Sequence, residues 1–270
     1  MKFKQIIALS AFSSVLIMSI ACSSQKNSEK GKLVFQDEFN NNGLPDSSKW
    51  EFEVGGDGFG NNELQFYTKD RTENARVEKG ILIIEAKKEK WEKNDYTSAK
   101  LITKNTFPFQ YGTVEVRAKL PKGKGTWPAI WMLSKNLKEW PDDGEIDIME
   151  HVGYNEGFVH GSVHTKKYNH IINTQKTDTI IVKDATENFH VYRADWTPDK
   201  IEMFVDDKKY FTYIKTENDY EAWPFDQPFY LILNQAVGGN WGGKEGVDEK
   251  IYPQKFLIDY VRIYKKITKK

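Results

Sequence analysis

The feature that most restricts the fold of this chain is an alternation of apolar and polar residues with a period of two. Between Gly112 and Leu120 every second residue is apolar, and the residues between them are polar or charged. Successive side chains of a β-strand point to opposite faces, so this pattern predicts a strand with one buried face. Similar short apolar segments recur at residues 81–86, 179–182, 201–205, 229–233 and 256–263. Clusters of Gly, Asp, Asn and Lys separate them, with Asp206-Asp207 as a hairpin turn, and no long helical period occurs. The sequence therefore predicts an all-β sandwich of two antiparallel sheets.

The first residues are predicted to be an export signal that is not part of the fold. Lys2 and Lys4 precede an apolar run at residues 6–21, which is too short to span a membrane but suits a signal peptide. The run ends at Ser19-Ile20-Ala21-Cys22, which resembles a bacterial lipobox with Ser19 in place of the usual Leu. Cys22 is the only cysteine of the chain, so it is better explained as a lipid attachment point than as a disulfide partner. We predict a lipoprotein signal peptide at 1–21; ordinary secretion with cleavage nearby is the alternative.

The rest of the chain is predicted to be a short tether followed by one domain. Residues 22–31 are polar and lack an apolar period, which indicates a flexible tether, and residues 32–266 form the domain. Without residues 1–21 the chain has 37 basic and 39 acidic side chains, and 37 − 39 gives a net charge of −2. This charge argues against a nucleic-acid partner. We expect a monomer whose one membrane contact is the lipid anchor, exported to the periplasm or the outer-membrane surface.

The segment at residues 144–153 carries three carboxylates on a predicted strand. Strict alternation would place Glu145 and Asp147 on one face and would point Glu150 into the core. An unpaired buried carboxylate is very costly, so one extra residue has to be absorbed before Glu150. A β-bulge near Ile148 or Met149 would do this, because it returns Glu150 to the face of the other two acids and buries Met149. The sequence therefore predicts three acids on one wall.

Two carboxylates on one wall are what retaining glycoside hydrolysis requires. One acts as the nucleophile and the other as the proton donor, about 5 to 5.5 Å apart. A solvated acidic strand face or a calcium site would show the same three residues, so these acids alone leave those alternatives open.

The chain resembles glycoside hydrolase family 16 from about Leu33 to Tyr264. Residues 145–150, Glu-Ile-Asp-Ile-Met-Glu, match the bulged form of the signature of this family. Four further segments look like its laminarinases, which are endo-acting β-1,3-glucanases: residues 61–68, 125–133, 160–165 and 234–241. The resemblance implies a jelly roll with a concave, substrate-holding sheet. One departure is Gln235, where these enzymes usually carry an apolar residue.

The resemblance also implies roles for individual residues. Glu145 would be the nucleophile, Glu150 the acid/base, and Asp147 the residue that orients the pair, with no cofactor required for catalysis. Trp131 and Trp140 would flank the sugar at the scissile bond, and aromatic faces suit pyranose rings. The expected substrate-binding residues are Asn62, Glu63, Arg117, Trp127, Trp131, Trp140, Tyr154, His164, Asn234 and Trp241.

The sequence offers two candidate metal sites. His160 and His164 share a strand face through their spacing of four and could form a metal site with Glu150. The resemblance instead makes His164 a cleft residue near the acid/base and His160 structural. It also implies a structural calcium on the convex side, held by Glu38, the carbonyl of Gly80 and Asp259; oxygen-only ligands suit calcium.

The sequence therefore predicts a retaining endo-β-1,3-glucanase that acts on laminarin-type polysaccharide. The alternatives are a relative acting on mixed-linkage β-glucan or a marine galactan, and a non-catalytic glycan-binding jelly roll. A complete set of three acids argues against the binding protein, and motifs poor in Lys and Arg argue against a sulfated galactan.

Overall fold

The computed structural model describes residues 31–265, which form a two-layer β-sandwich. The predicted signal peptide, Cys22 and the tether up to residue 30 lie outside the described residues. The strands are β1 (Lys32–Asp37), β2 (Glu51–Phe52), β3 (Gln65–Tyr67), β4 (Ala75–Glu78), β5 (Ile81–Trp91), β6 (Asn94–Ser98), β7 (Lys100–Ile102), β8 (Gly112–Lys119), β9 (Thr126–Ser134), β10 (Glu145–His151), β11 (Phe158–His164), β12 (Lys176–Ile181), β13 (His190–Trp196), β14 (Lys200–Val205), β15 (Lys208–Ile214), β16 (Phe229–Val237) and β17 (Gln254–Lys265). A single turn of 3₁₀ helix, Glu249–Ile251, is the one helical element of this part of the chain. Among these residues no helix is both long and apolar enough to cross a membrane.

The strands form two sheets of unequal size. The seven-stranded sheet has the order β12-β11-β10-β9-β16-β7-β2, and we name it the cleft sheet because β10 carries the three acids. The ten-stranded outer sheet has the order β15-β14-β13-β8-β17-β5-β6-β3, with β1 beside β17 and β4 beside β5. Nearly all pairs are antiparallel, as predicted. The exception is β3, which runs parallel to β6, so the outer sheet is not purely antiparallel.

The core lies between the sheets and is built from the alternation that the sequence shows. In β8, Val114, Val116 and Ala118 are fully buried in the core, while the residues between them take the opposite face of the outer sheet. Ile130 and Met132 of β9 are equally buried, so Trp131 between them faces the cleft, and Trp127, four residues earlier, shares that face.

The hairpin between β14 and β15 forms at the predicted residues. Asp206 and Asp207 have φ of 49° and 66°, the left-handed region that a tight two-residue hairpin requires, and Asp tolerates it better than most residues.

Candidate active site

A β-bulge places the three acids on one face of β10. Against β9, Asp147 pairs with Trp131 and Met149 with Ile130, so Ile148 is the extra residue. Ile146, Ile148 and Met149 are all fully buried. The bulge predicted from the cost of burying Glu150 is thus present, and it returns Glu150 to the face of Glu145 and Asp147.

Each of the two glutamates accepts a hydrogen bond from one tryptophan. Trp140 Nε1 lies 2.9 Å from Glu145 Oε2, and Trp127 Nε1 lies 3.0 Å from Glu150 Oε1. Each indole therefore holds one oxygen of a glutamate in place.

Asp147 and His164 complete the centre of the site. His164 Nε2 lies 3.3 Å from Asp147 Oδ2 and 3.9 Å from Glu145 Oε1. His164 also stands opposite Glu145 in the pairing of β10 with β11, so it belongs to the Glu145 end of the site. The charge of His164 also lowers the pKa of Glu150, so His164 is a cleft residue near the acid/base as expected, although its direct contacts are with Asp147 and Glu145. His160 is the residue opposite Glu150 in the same strand pairing.

Burial and mutual repulsion raise the pKa of all three carboxyl groups. Burial raises the pKa of Glu145 to about 8, and the charge of Asp147 adds to this effect. Burial raises the pKa of Glu150 to about 7 with a contribution from Glu145, while the hydrogen bond from Trp127 opposes the shift. The pKa of Asp147 also lies well above its usual range, through burial and the charge of Glu150. At neutral pH the cluster therefore retains protons that solvated carboxyl groups would have lost.

Aromatic rings form the wall at the Glu150 end. The Trp241 ring lies edge-on to Trp127, with 5.5 Å between centroids, and to His160, at 5.0 Å. His160 Nδ1 lies 3.1 Å from the hydroxyl of Thr179. His160 is therefore part of the cleft wall and not only a structural residue, a position that its sequence motif did not reveal.

A second group of side chains surrounds Trp131. Trp131 Nε1 donates to Asn234 Oδ1 at 2.7 Å, and Asn234 Nδ2 donates to the Tyr67 hydroxyl at 2.9 Å. The ammonium group of Lys100 lies 4.9 Å from the centroid of the Trp131 ring and 2.8 Å from Glu53. Trp131 is thus fixed at its edge and at its face.

The segment with Asn62 and Glu63 closes this side of the cleft. Asn62 Nδ2 donates to Asn240 Oδ1 at 2.8 Å, which joins the segment to the one that carries Trp241. Glu63 Oε2 accepts from Gln65 Nε2 at 2.6 Å and from the Tyr67 hydroxyl at 3.4 Å, and burial raises the pKa of its carboxyl.

Comparison with known proteins decides the family. The sequence model described as "Glycosyl hydrolases family 16" matches residues 62–262. The chain belongs to glycoside hydrolase family 16.

Similar proteins of this family agree with the chain in sequence and in structure. A β-glucanase of Rhodothermus marinus is 50% identical in an alignment that covers 98% of this chain and 97% of the relative. The X-ray structure of the laminarinase from Rhodothermus marinus matches with 53% identity and a TM-score of 0.85, covering 87% of this chain and 97% of that one. The structure of SCLam, a non-specific endo-β-1,3(4)-glucanase of family 16, matches with 47% identity and a TM-score of 0.84. The match covers 87% of this chain and 91% of that one. The jelly-roll fold of family 16 is therefore confirmed for this chain.

Most of the predicted substrate-binding residues meet in this family 16 cleft, but Arg117 does not. It lies on β8 of the outer sheet, where its guanidinium group contacts Asp259 at 2.5 Å and covers the Phe189 ring. Since Val116 and Ala118 on either side face the core, Arg117 points away from the cleft sheet. The prediction of a cleft position for Arg117 is wrong. Tyr154 lies half-buried in the turn after β10, at the Glu150 end.

The residues expected to hold calcium are arranged differently from a calcium site. Both oxygens of Glu38 accept hydrogen bonds from Arg262, at 2.7 and 2.8 Å, and Asp259 pairs with Arg117. A cation held by these carboxylates and the carbonyl of Gly80 would compete with Arg262 for both oxygens of Glu38 and with Arg117 for Oδ2 of Asp259. This set, as arranged, does not fit calcium.

His160 and His164 do not form a metal site with Glu150. Among residues 31–265, one group of ligating side chains could hold a metal ion, and it consists of Glu145, Asp147 and His164. His160 and Glu150 are not part of it.

Gln235 does not alter the cleft. It is fully buried on β16 opposite Pro128, and its neighbours Asn234 and Ala236 pair with Ala129 and Trp127 on the cleft face. Alternation therefore points Gln235 into the sandwich. This departure from the family pattern lies on the core face of the cleft sheet and not on the face that lines the cleft.

Proposed function

We propose that this family 16 chain is an endo-acting β-1,3-glucanase that hydrolyses laminarin-type polysaccharide with retention of configuration. One observation carries the proposal: the bulge at Ile148 places Glu145 and Glu150 on one cleft face, each held at one oxygen by an indole. The similar β-glucanase and laminarinase of Rhodothermus marinus support the substrate.

In the first half of the reaction Glu145 attacks the anomeric carbon. A bond forms between its carboxylate oxygen and C1, and the bond from C1 to the glycosidic oxygen breaks. Glu150 donates its proton to that oxygen, so the leaving chain departs as a neutral alcohol. In the second half Glu150, now ionised, removes a proton from water, and the water oxygen displaces Glu145 from C1.

These roles require one particular distribution of protons over the cluster of three acids. Glu145 and Asp147 are joined by a hydrogen bond, which two carboxyl groups can form only with a proton between them. The Asp147 side chain is 3% exposed and that of Glu145 is 15% exposed, so ionisation costs more at Asp147. The reactive form is the one in which the shared proton lies on Asp147, because it leaves Glu145 ionised for attack while Glu150 keeps the proton that it must donate. The pKa of Glu145 is raised chiefly by burial and then by the charge of Asp147.

The experiment that tests the substrate is a panel of purified polysaccharides with analysis of product lengths. Laminarin should be cut internally to short oligosaccharides, whereas agarose and κ-carrageenan should be cut little. Faster turnover of a sulfated galactan than of laminarin would overturn the assignment.

A second candidate substrate is mixed-linkage β-glucan. It is favoured by the similarity to SCLam, whose description is a non-specific endo-β-1,3(4)-glucanase. Lichenan in the same panel separates a broad specificity from a β-1,3-restricted one.

We further propose that the enzyme is a monomeric lipoprotein of the bacterial cell envelope, anchored through Cys22. The charged start, the apolar run and the position of the single cysteine support the anchor. In this proposal the tether keeps the cleft accessible to soluble polysaccharide.

A further inference from the structure

The bulge that brings Glu150 into the cleft disturbs the ladder on both sides of β10. Ile148 has no partner in β9, and on the other side Ile148 and Met149 stand together opposite Gly161 of β11. A bulged residue interrupts ladder hydrogen bonding, and Ile148 is fully buried, so its carbonyl cannot turn to water.

A tyrosine from the other sheet supplies the donor. The hydroxyl of Tyr210 donates to the carbonyl oxygen of Ile148 at 2.7 Å. Tyr210 lies on β15, the outermost strand of the outer sheet, and β15 packs against β11 and β12 of the cleft sheet. The contact therefore crosses the sandwich.

Gly161 leaves the space that this contact needs. A Cβ at residue 161 would lie 2.6 Å from the Tyr210 hydroxyl oxygen and 2.6 Å from the sulfur of Met203. The bulge, the glycine opposite it and the tyrosine beneath it thus form one interlocking unit.

We propose that Tyr210 is a positioning residue for the acid/base Glu150, and that it acts by holding the Ile148 carbonyl so that the bulge keeps its shape. The inference rests on the proposed function, because it assigns Tyr210 a part in proton donation by Glu150. Tyr210 remains a donor over the working pH range, since burial and the charges of Asp147 and Glu150 raise the pKa of its phenol. Tyr210 itself lies behind the strand and does not touch the substrate.

The chain provides a matched control on the same strand. Tyr213 of β15 also donates its hydroxyl to a backbone carbonyl, that of Ala222 at 2.6 Å, at a distance from the three acids. Tyr210→Phe and Tyr213→Phe therefore remove the same kind of hydrogen bond from the same strand, and only the first reaches the bulge.

The experiment measures kcat/KM of both variants on laminarin and on a dinitrophenyl β-glycoside of laminaribiose. The dinitrophenolate leaves without needing a proton, so its release does not depend on Glu150. Tyr210→Phe should lose roughly tenfold or more on laminarin, as expected for a misplaced catalytic group, and much less on the activated substrate. Tyr213→Phe should match the wild type on both.

Equal losses of Tyr210→Phe on the two substrates, or laminarin activity equal to that of Tyr213→Phe, would overturn the proposal. A wild-type enzyme inactive on laminarin would instead refute the proposed function, so the two failures are distinct.

A second pair of variants covers the case in which Tyr210→Phe does not fold. Deleting Ile148 removes the extra residue and its carbonyl but keeps Glu150 on the cleft face, because Met149 then occupies the core position. Combined with this deletion, Tyr210→Phe should be folded and as active on laminarin as the deletion alone. An unfolded double variant, or one less active than the deletion alone, would contradict a role that acts through Ile148.

Discussion

Trp127 donates its indole N–H to Glu150 Oε1 at 3.0 Å, so a residue of the aromatic wall directly contacts the proposed acid/base. This hydrogen bond lowers the pKa of Glu150, in opposition to burial. Trp127→Phe keeps an aromatic ring but loses the donor, so the pKa of Glu150 should rise. We expect the basic limb of the pH profile of kcat/KM on laminarin to move to higher pH, and kcat to fall because Glu150 is less well held.

Trp50→Phe is the matched control, since Trp50 also donates to a carboxylate, Asp37 at 2.9 Å, inside the core. It should lower thermal stability and leave the basic limb in place. A basic limb unchanged in Trp127→Phe would contradict the assignment of that limb to Glu150.

The raised pKa of Glu145 predicts how stability depends on pH. In the unfolded chain Glu145 titrates near its ordinary pKa, and in the folded protein it titrates at about 8. Between these values the folded state binds more protons, so this group makes stability fall as pH rises. Glu145→Gln should therefore raise Tm relative to wild type at pH 8 to 9, and the difference should vanish below about pH 4.5.

Glu89→Gln should behave in the opposite way. Its carboxylate pairs with Arg71 at 2.6 Å, and hydrogen bonding to that guanidinium lowers the pKa of Glu89 to about 2. A lowered pKa in the folded state stabilises above the unfolded pKa, so Glu89→Gln should lower Tm at pH 7 and lose this effect in acid. Calorimetric melting curves across pH measure both variants; equal Tm of Glu145→Gln and wild type at pH 8 to 9 would contradict the cost of ionising Glu145.

Arg117 should be unimportant for substrate binding despite the prediction from sequence. Arg117→Ala removes a partly exposed ion pair with Asp259, which typically contributes about 0 to 1 kcal/mol to stability. We expect unchanged kcat and KM on laminarin. Trp131→Ala, which removes a ring fixed by Asn234 and Lys100 in the cleft, should raise KM. A rise in KM for Arg117→Ala as large as that for Trp131→Ala would show that substrate reaches the outer sheet.

The position of Cys22 predicts where the enzyme is found. Cys22→Ser should move the protein from the membrane fraction to the soluble exported fraction, with laminarin hydrolysis retained, because residue 22 precedes the described domain. Fractionation and mass spectrometry of the mature N-terminus measure this. A wild-type protein that is soluble and carries no lipid would contradict the anchor.

The sequence predicted those features that depend on local patterns. The bulge was predictable from the spacing of the three acids. Residues 145, 147 and 150 cannot all lie on one face of a regular strand, and burying Glu150 without a partner costs too much free energy. The hairpin at Asp206-Asp207 and the burial of Val114 and Val116 followed equally from local pattern.

Features that depend on which strands meet could not be read in this way. The period of two shows that Arg117 and Val116 point to opposite faces of their strand. It does not show that this strand, β8, belongs to the outer sheet, and for this reason the predicted cleft position of Arg117 is wrong. Lys100 under Trp131 and Tyr210 beneath Ile148 depend on contacts between distant parts of the chain, and no local pattern marks them.

The most direct test of the central claim is proton NMR of the anomer first released from laminarin. If Glu145 is the nucleophile and Glu150 the acid/base, the β-anomer should appear first and the α-anomer should grow only through mutarotation. Initial release of the α-anomer would mean single displacement by water and would contradict the role of Glu145.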